Sequence, residues 1–208
     1  MTDRCIDRGG HLLIIGGGED RTEDKTILTR FVELCGGAGS RIAVLTAASS
    51  VPDKMWDIYD SAFAALGVAE RQQFHIETRA EANDPALIAL LDRADGIFMT
   101  GGAQARLMAL IGGTGADEAM RRALWQRGAC IAGTSAGASA MSAHMLVDGK
   151  VDLQPEKGGV NLAAGLGLLH GVVIDQHFSQ RHRLARLLTV IAANPQLLGI
   201  GIDEDTAR

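Results

Sequence analysis

The sequence predicts an α/β protein, a three-layer α/β/α sandwich around a mostly parallel sheet. Short apolar runs such as HLLII at residues 11–15 alternate with amphipathic helical segments. Strands with one face in solvent would alternate apolar and polar residues, so uniformly apolar runs indicate a sheet covered on both faces. The 26 glycines among 208 residues fall in short clusters after several of these runs, as in tight strand-to-helix turns. Ligands of such sheets bind beyond the carboxyl ends of the strands.

The order of strands and helices follows from the spacing of hydrophobic residues and from the residues typical of turns. Prolines 52 and 85 stand at first helical positions, and Gly67 and the Asn194-Pro195 pair stop helices. Residues 145–168 are the least regular stretch and form an excursion beside the site. The predicted strands are residues 11–15, 41–46, 71–76, 96–100, 129–132, 172–174 and 199–202. The predicted helices cover residues 27–35, 52–66, a segment from residue 85, 104–111, 115–126 and 179–193.

Composition excludes several classes of protein. Hydrophobic residues make up 47% and charged residues 22%, which is ordinary globular usage. The formal charge of −5 argues against nucleic acid as a partner. No apolar run approaches the roughly 20 residues of a membrane span, and the start lacks a secretory signal, so we expect a cytoplasmic protein with no membrane partner. Three cysteines without a CxxC pair predict neither a disulfide framework nor a zinc site.

The most specific motif is GTSAGAS at residues 133–139, directly after a predicted strand. Residues 133–137 fit G-x-S-x-G, the turn that raises a nucleophilic serine above the sheet, here Ser135. The N–H of Ala136 at the start of the next helix then points to where an oxyanion would form. The alternative is an ordinary glycine-rich turn with a capping serine.

A serine nucleophile needs a base, and six histidines are available. His177 follows the predicted strand at residues 172–174, at the carboxyl end where the serine is expected. His182 is the rival, about one helical turn later. Position in the sheet therefore favours His177.

An acid to orient the imidazole is expected at the end of the last strand, where Asp203, Glu204 and Asp205 follow one another. Spacing alone does not choose among them, and a solvated acidic turn is the alternative. Gly102, after another strand, offers an N–H that can complete an oxyanion hole.

Two further segments bear on ligands. Residues 16–18 resemble a phosphate-binding turn, but Arg21 replaces the last glycine of G-x-G-x-x-G, so nucleotide binding has little support. Several charged residues crowd the segment around the predicted base and suit an acidic substrate or a free carboxyl terminus. A solvated helix with no specific partner is the alternative. The segment contains Asp175, Gln176, Arg181, Arg183 and Arg186.

In wording and order these motifs resemble peptidase family S51, and within it the cyanophycinases more than the aspartyl dipeptidases. The resemblance spans nearly the whole chain and implies a fold related to class I glutamine amidotransferases, with serine in place of the usual cysteine. It rests on residues 14–20, 100–104, 133–139, 175–187 and 201–207.

The resemblance implies a serine exopeptidase that cuts cyanophycin or related β-aspartyl peptides and releases β-Asp-Arg dipeptides. Ser135 would be the nucleophile, His177 the base and Glu204 the orienting acid, with Gly102 and Ala136 forming the oxyanion hole. The family also implies a homodimer, with no cofactor and no metal. The residues that match its substrate pocket are Gln104, Asp175, Gln176, Arg181, Arg183 and Arg186.

Two departures from the family bear on these expectations. Ala103 stands where members often have aspartate, which concerns substrate preference. The sequence given stops at Arg208, whereas relatives continue through further strands, so we expect one S51-like domain over residues 1–208 that is a truncated member, a trimmed chain or a degenerate copy. An α-aspartyl dipeptidase and a catalytically inactive binding homologue are the alternative functions.

Overall fold

The computed structural model describes residues 9–149 and 160–208. Within them the strands are β1 (His11–Ile15), β2 (Arg41–Leu45), β3 (Glu70–Phe74), β4 (Gly96–Met99), β5 (Cys130–Thr134), β6 (His144–Gly149), β7 (Val160–Ala164), β8 (Val172–Gln176) and β9 (Leu198–Ile202). The α-helices are α1 (Thr26–Leu34), α2 (Pro52–Ala65), α3 (Pro85–Leu91), α4 (Gln104–Ile111), α5 (Gly115–Arg127), α6 (Ala136–Ala140) and α7 (Leu184–Ala193), with a short 3-10 helix at Glu81–Asn83.

The main sheet has five parallel strands in the order β1-β5-β4-β2-β3. Helices α1 and α2 pack on one face through an aromatic core that includes Phe31, Tyr59 and Phe98. Helices α3, α4 and α5 pack on the other face around Ile97 and Ile131. Every residue of β4 and β5 is buried, as strands covered on both sides require. The predicted three-layer α/β/α arrangement is confirmed.

A second, smaller sheet pairs β8 and β9 in parallel, with α7 packed against β9. The chain then returns to the free edge of β1. Ile15 forms an antiparallel bridge with Ala207, and Ile14 and Arg208 exchange backbone hydrogen bonds of 2.8 and 3.0 Å. These bonds hold the segment after β9 against the main sheet.

Two segments differ from the sequence prediction. Helix α7 begins at Leu184 rather than at residue 179, because His182 adopts a left-handed backbone with φ of 51° that a continuous helix does not allow. The stretch expected to be irregular contains the antiparallel hairpin β6–β7, while its residues 150–159 lie outside the described part of the chain.

Among the described residues, no helix has both the length and the apolar character that a membrane crossing requires.

Candidate active site

Ser135 occupies a sharp turn between β5 and α6. Its backbone has φ of 53° and ψ of −110°, a conformation that costs on the order of 1–3 kcal/mol for a residue with a side chain. The neighbours must be small. A Cβ on Gly133 would lie 2.5 Å from the backbone of Gly137, and one on Gly137 would lie 2.5 Å from the carbonyl oxygen of Met99. The glycines of the motif thus let strand, turn and helix pack closely enough to hold the serine in place.

The side chain of His177 meets Ser135, with 2.8 Å between Ser135 Oγ and His177 Nε2. His177 directly follows β8, and its N–H donates to the carbonyl oxygen of Gly16 at 2.9 Å. The imidazole packs over Gly17, where a Cβ would come within 2.3 Å of the ring carbon Cε1. The rival histidine, His182, is exposed in the turn before α7.

The three carboxylates after β9 have three different contacts. Glu204 Oε1 lies 2.6 Å from His177 Nδ1. Asp203 instead accepts from the N–H of Ser179 at 2.7 Å, and Asp205 accepts from the N–H of Asp20 at 3.0 Å. The structure thus separates the candidates that spacing left equivalent, and brings Glu204 to the imidazole.

The order of contacts fixes the direction of the hydrogen bonds. An ionised carboxylate only accepts, so Nδ1 carries the ring proton in the bond to Glu204. Nε2 is then left with a lone pair, and the hydroxyl of Ser135 donates to it. This is the protonation pattern that a general base needs before attack by serine.

The Gly101-Gly102 turn borders Ser135, since a Cβ on Gly101 would lie 3.8 Å from Ser135 Oγ. Gly102 has φ of 144°, and a Cβ there would lie 2.1 Å from the carbonyl oxygen of Ala48. Only glycine fits that position. Ala136 begins α6, so its N–H has no acceptor within the helix. Gly101 and Ala136 thus lie beside Ser135, and an oxyanion-hole role for Gly102 and Ala136 remains a prediction.

Four of the six residues predicted to bind substrate form one buried cluster. Asp175 is 1% exposed and accepts two hydrogen bonds from Arg186, one of them 2.7 Å from Nε. Arg183 Nη1 donates to Asp175 at 3.3 Å and to the side-chain oxygen of Gln176 at 2.9 Å. Two guanidinium groups therefore face one carboxylate. Burial and the charge of Arg186 lower the pKa of Arg183 to about 10.

The other two lie apart from this cluster. Arg181 is exposed, and its N–H donates to the carbonyl oxygen of His177 at 3.0 Å. Gln104, at the start of α4, donates to the carbonyl oxygens of Leu146 and Val147 on β6 at 2.9 and 3.2 Å. A substrate-binding role for all six remains a prediction.

Sequence reasoning missed a buried carboxylate next to the serine turn. Glu19 is 2% exposed and accepts a hydrogen bond from Thr134 Oγ1 at 2.6 Å and another from the hydroxyl of Tyr59. Burial and the nearby Glu19 raise the pKa of Tyr59 well above its usual value. The available signal for Glu19 was its place in the GGGED segment, residues 16–20, on which the family resemblance partly rests. Its hydrogen-bond partners, however, lie far away in the sequence.

The described residues contain no group of three or more His, Cys, Asp or Glu side chains arranged to hold a metal ion.

Comparison with known proteins places these residues in a family context. A sequence model described as peptidase family S51 matches residues 12–207. The chain is 42% identical over 197 residues to a cyanophycinase from Synechococcus elongatus, which covers 95% of this chain and 61% of that protein. It is 38% identical over 195 residues to a cyanophycinase from Geminocystis herdmanii (strain PCC 6308), covering 94% of this chain and 72% of that protein. The chain thus spans about three fifths of the length of the Synechococcus relative.

Solved structures share the fold. A peptidase from an acI-B1 Actinobacterium superposes with a TM-score of 0.72 at 24% identity, covering 96% of this chain and 82% of that one. A putative peptidase E from Listeria monocytogenes EGD-e gives a TM-score of 0.61 at 20% identity, over 92% of this chain and 90% of that one.

Proposed function

Because the chain belongs to peptidase family S51, a family of serine-type peptidases, we propose that it is an exopeptidase that hydrolyses cyanophycin to β-Asp-Arg dipeptides. Cyanophycin is a poly-aspartate backbone whose side-chain carboxyls carry arginine. Relatives named cyanophycinase, 36–42% identical over most of this chain, support that substrate class.

The observation that carries the proposal is the continuous hydrogen-bonded chain from Ser135 through His177 to Glu204. His177 Nε2 takes the hydroxyl proton as Ser135 Oγ attacks the scissile carbonyl carbon, and Glu204 stabilises the imidazolium that results. The C–N bond then breaks, and the leaving amine takes the proton from Nε2. The product of this half-reaction is an acyl ester on Ser135.

Water completes the cycle. It loses a proton to His177 Nε2 as it attacks the ester carbonyl, and that proton returns to Ser135 Oγ when the acyl group leaves. In both half-reactions a carbonyl oxygen becomes an oxyanion, which the N–H groups of Gly102 and Ala136 would stabilise. Each such donor contributes about 10²- to 10³-fold to the rate.

The charged cluster beside the base supports recognition of an acidic group. Asp175 neutralises one of the two buried guanidinium groups of Arg183 and Arg186, which leaves an excess of one positive charge. Arg181, four residues after His177, is exposed and adds a second cation in the same segment. A free carboxylate of a β-aspartyl chain end would pair with the exposed guanidinium group of Arg181 in a two-point hydrogen bond, while the buried excess charge attracts it from a distance.

The test is hydrolysis of purified cyanophycin, with released dipeptides separated by chromatography and identified by mass. We expect β-Asp-Arg to accumulate, and Ser135→Ala to lower the rate by about 10⁴- to 10⁶-fold. A parallel panel of α-Asp-X and β-Asp-X dipeptides separates related specificities.

Three outcomes would contradict the proposal. Cleavage of α-Asp-X dipeptides alone would assign the chain to the aspartyl dipeptidase type. Unchanged cyanophycin hydrolysis by Ser135→Ala would reject the acyl-enzyme. Specific binding of β-aspartyl peptides without turnover would show an inactive homologue.

A further inference from the structure

The carboxylate of Glu19 is hydrogen-bonded to the residue before Ser135. Thr134, the last residue of β5, donates from Oγ1 to Glu19 Oε2 at 2.6 Å, and both side chains are buried. The other carboxylate oxygen accepts from Tyr59, a buried residue of α2. Two hydroxyl donors thus satisfy both oxygens of a carboxylate that water does not reach, which is how a buried carboxylate avoids a large desolvation cost.

Thr134 is the residue directly before the strained serine. A left-handed, irregular backbone such as that of Ser135 persists only where its neighbours restrain it. On the N-terminal side, the restraints are the N–H of Ser135 donating to the carbonyl oxygen of Ile15 at 3.0 Å and the side-chain bond from Thr134 to Glu19. The second restraint fixes the rotamer of Thr134 and holds the end of β5 against the loop that follows β1.

That same loop, residues 16–20, contacts the base and the acid. Gly17 packs under the imidazole of His177, and its carbonyl oxygen accepts from the N–H of Asp205 at 2.9 Å. A Cβ on Gly18 would lie 3.2 Å from Glu204 Oε2. The loop therefore contacts the base and acid through its glycines, while Glu19 reaches the residue before the nucleophile.

We propose that Glu19 is a positioning residue for the hydrolytic reaction, which it serves by holding the Ser135 turn in register with His177 through Thr134. The proposal rests on the hydrolytic function of Ser135. Glu19 does not touch the reacting atoms. Its loss lets the serine hydroxyl move relative to Nε2, and a displacement of about 1 Å lowers a rate by up to about 10²-fold.

The experiment compares two threonine-to-valine variants of the full chain. Thr134→Val removes the donor to Glu19, while Thr114→Val removes an equally buried hydroxyl that also donates at 2.6 Å, to the carbonyl oxygen of Ile111 in the turn before α5. Both variants lose one short buried hydrogen bond, but Thr134→Val also leaves an oxygen of the Glu19 carboxylate unpaired and should melt at a lower temperature. Labelling rates are therefore compared well below both melting temperatures. Glu19→Gln tests the carboxylate directly, and Thr134→Ser restores the hydroxyl.

The main readout is the rate at which a fluorophosphonate labels Ser135, located by mass spectrometry, because it needs no assumption about the substrate. We expect Thr134→Val and Glu19→Gln to slow labelling by about 10- to 100-fold. Thr114→Val should label at the wild-type rate, and Thr134→Ser should recover most of it. With cyanophycin, kcat should fall in the same variants while KM stays unchanged, since the contact is remote from bound substrate.

Equal labelling rates for Thr134→Val and Thr114→Val would overturn the positioning role, as would a failure of Thr134→Ser to recover the rate. A rise in KM without a fall in kcat would overturn it as well. A wild-type protein that the reagent does not label at Ser135 would instead overturn the proposed hydrolytic function, and this inference with it.

Discussion

Ser135 and His177, the proposed nucleophile and base, follow strands of two sheets of very different construction. Ser135 follows β5, which lies between β1 and β4 in the five-stranded sheet and is buried along its whole length. His177 follows β8 of a two-stranded sheet that packs against helix α7. This part of the molecule leaves large apolar side chains exposed, namely Leu184 and Leu188 on α7 and Leu198 on β9.

The difference teaches where the geometry of the site is determined. The interior of the main sheet holds Ser135, whereas His177 and Glu204 depend on bonds that cross to β1 and to the loop after it. These bonds run from the N–H of His177 to Gly16, from the N–H of Asp205 to Gly17, and between Ile14 and Arg208. The contact between the two sheets, rather than either sheet alone, therefore sets the distance from Oγ to Nε2.

The largest effect is expected from removing the imidazole of His177, which follows β8 of the two-stranded sheet. His177→Asn should lower kcat on the order of 10⁶-fold, because the serine loses its proton acceptor while asparagine still tolerates the φ of 49°. His182→Asn is the matched control, at an exposed histidine whose φ is 51°. Steady-state hydrolysis measures both, and a comparable loss in the control would move the base to His182.

The next largest effect tests the acid. Glu204→Gln should lower kcat about 10⁴-fold, because an amide can donate to Nδ1 and so favours the tautomer whose Nε2 carries a proton. Asp205→Asn changes the neighbouring carboxylate, which binds the N–H of Asp20 and not the imidazole, and should remain within a few-fold of wild type. The reverse ranking of the two variants would assign the acid to Asp205.

A smaller effect tests the contact between the sheets. Gly17→Ala should lower kcat about 10²-fold, because its Cβ would come within 2.3 Å of the His177 ring and push it away from Ser135. Gly36→Ala has a similar φ, 107° against 101°, but meets no atom within 4 Å. The fall in melting temperature of Gly36→Ala measures the cost of the positive φ alone, and only Gly17→Ala should also lose activity. Equal activity would show that the ring has room to adjust.

The smallest effect concerns Asp20, the last residue of the same loop. Asp20 accepts backbone hydrogen bonds from Glu23, Lys25 and Thr22, which hold the pKa of its carboxyl well below its usual range. A depressed folded pKa adds stability above the unfolded value of about 3.9, and that stability is lost as pH falls through the folded pKa. Asp20→Ala should therefore melt below wild type at pH 7, and the gap should shrink toward pH 2.

Asp24→Ala, at an exposed neighbour, controls for the loss of one negative charge. A gap between wild type and Asp20→Ala that widens on acidification would contradict the assigned role of the backbone hydrogen bonds.

The local features of this site could be predicted from sequence. The GTSAGAS turn and the apolar runs depend only on neighbouring residues. The spacing of hydrophobic residues therefore predicted the strands, and the G-x-S-x-G pattern predicted the position of Ser135. His177 followed from its place after a strand. Glu204 came only from the family resemblance, because Asp203, Glu204 and Asp205 are equivalent until the path of the chain past β9 is known.

The features that escaped depend on distant contacts. Glu19 is an acidic residue in a glycine-rich loop, and its burial follows from partners on α2 and β5 that lie 40 and 115 residues away. The late start of α7, at Leu184 instead of residue 179, was missed for a related reason. The left-handed turn at His182 lets Arg183 reach Asp175 and Gln176, and no local propensity signals that requirement.

The pairing of Arg208 with Ile14 joins positions near opposite ends of the described chain. Contacts between such remote positions form slowly, since a long loop must close first. A ribosome extrudes the serine and the imidazole well before the carboxylate that steadies the ring. The hydrogen-bonded chain from Ser135 to Glu204 is therefore incomplete until the segment after β9 has docked against β1, which makes its closure a late step of folding.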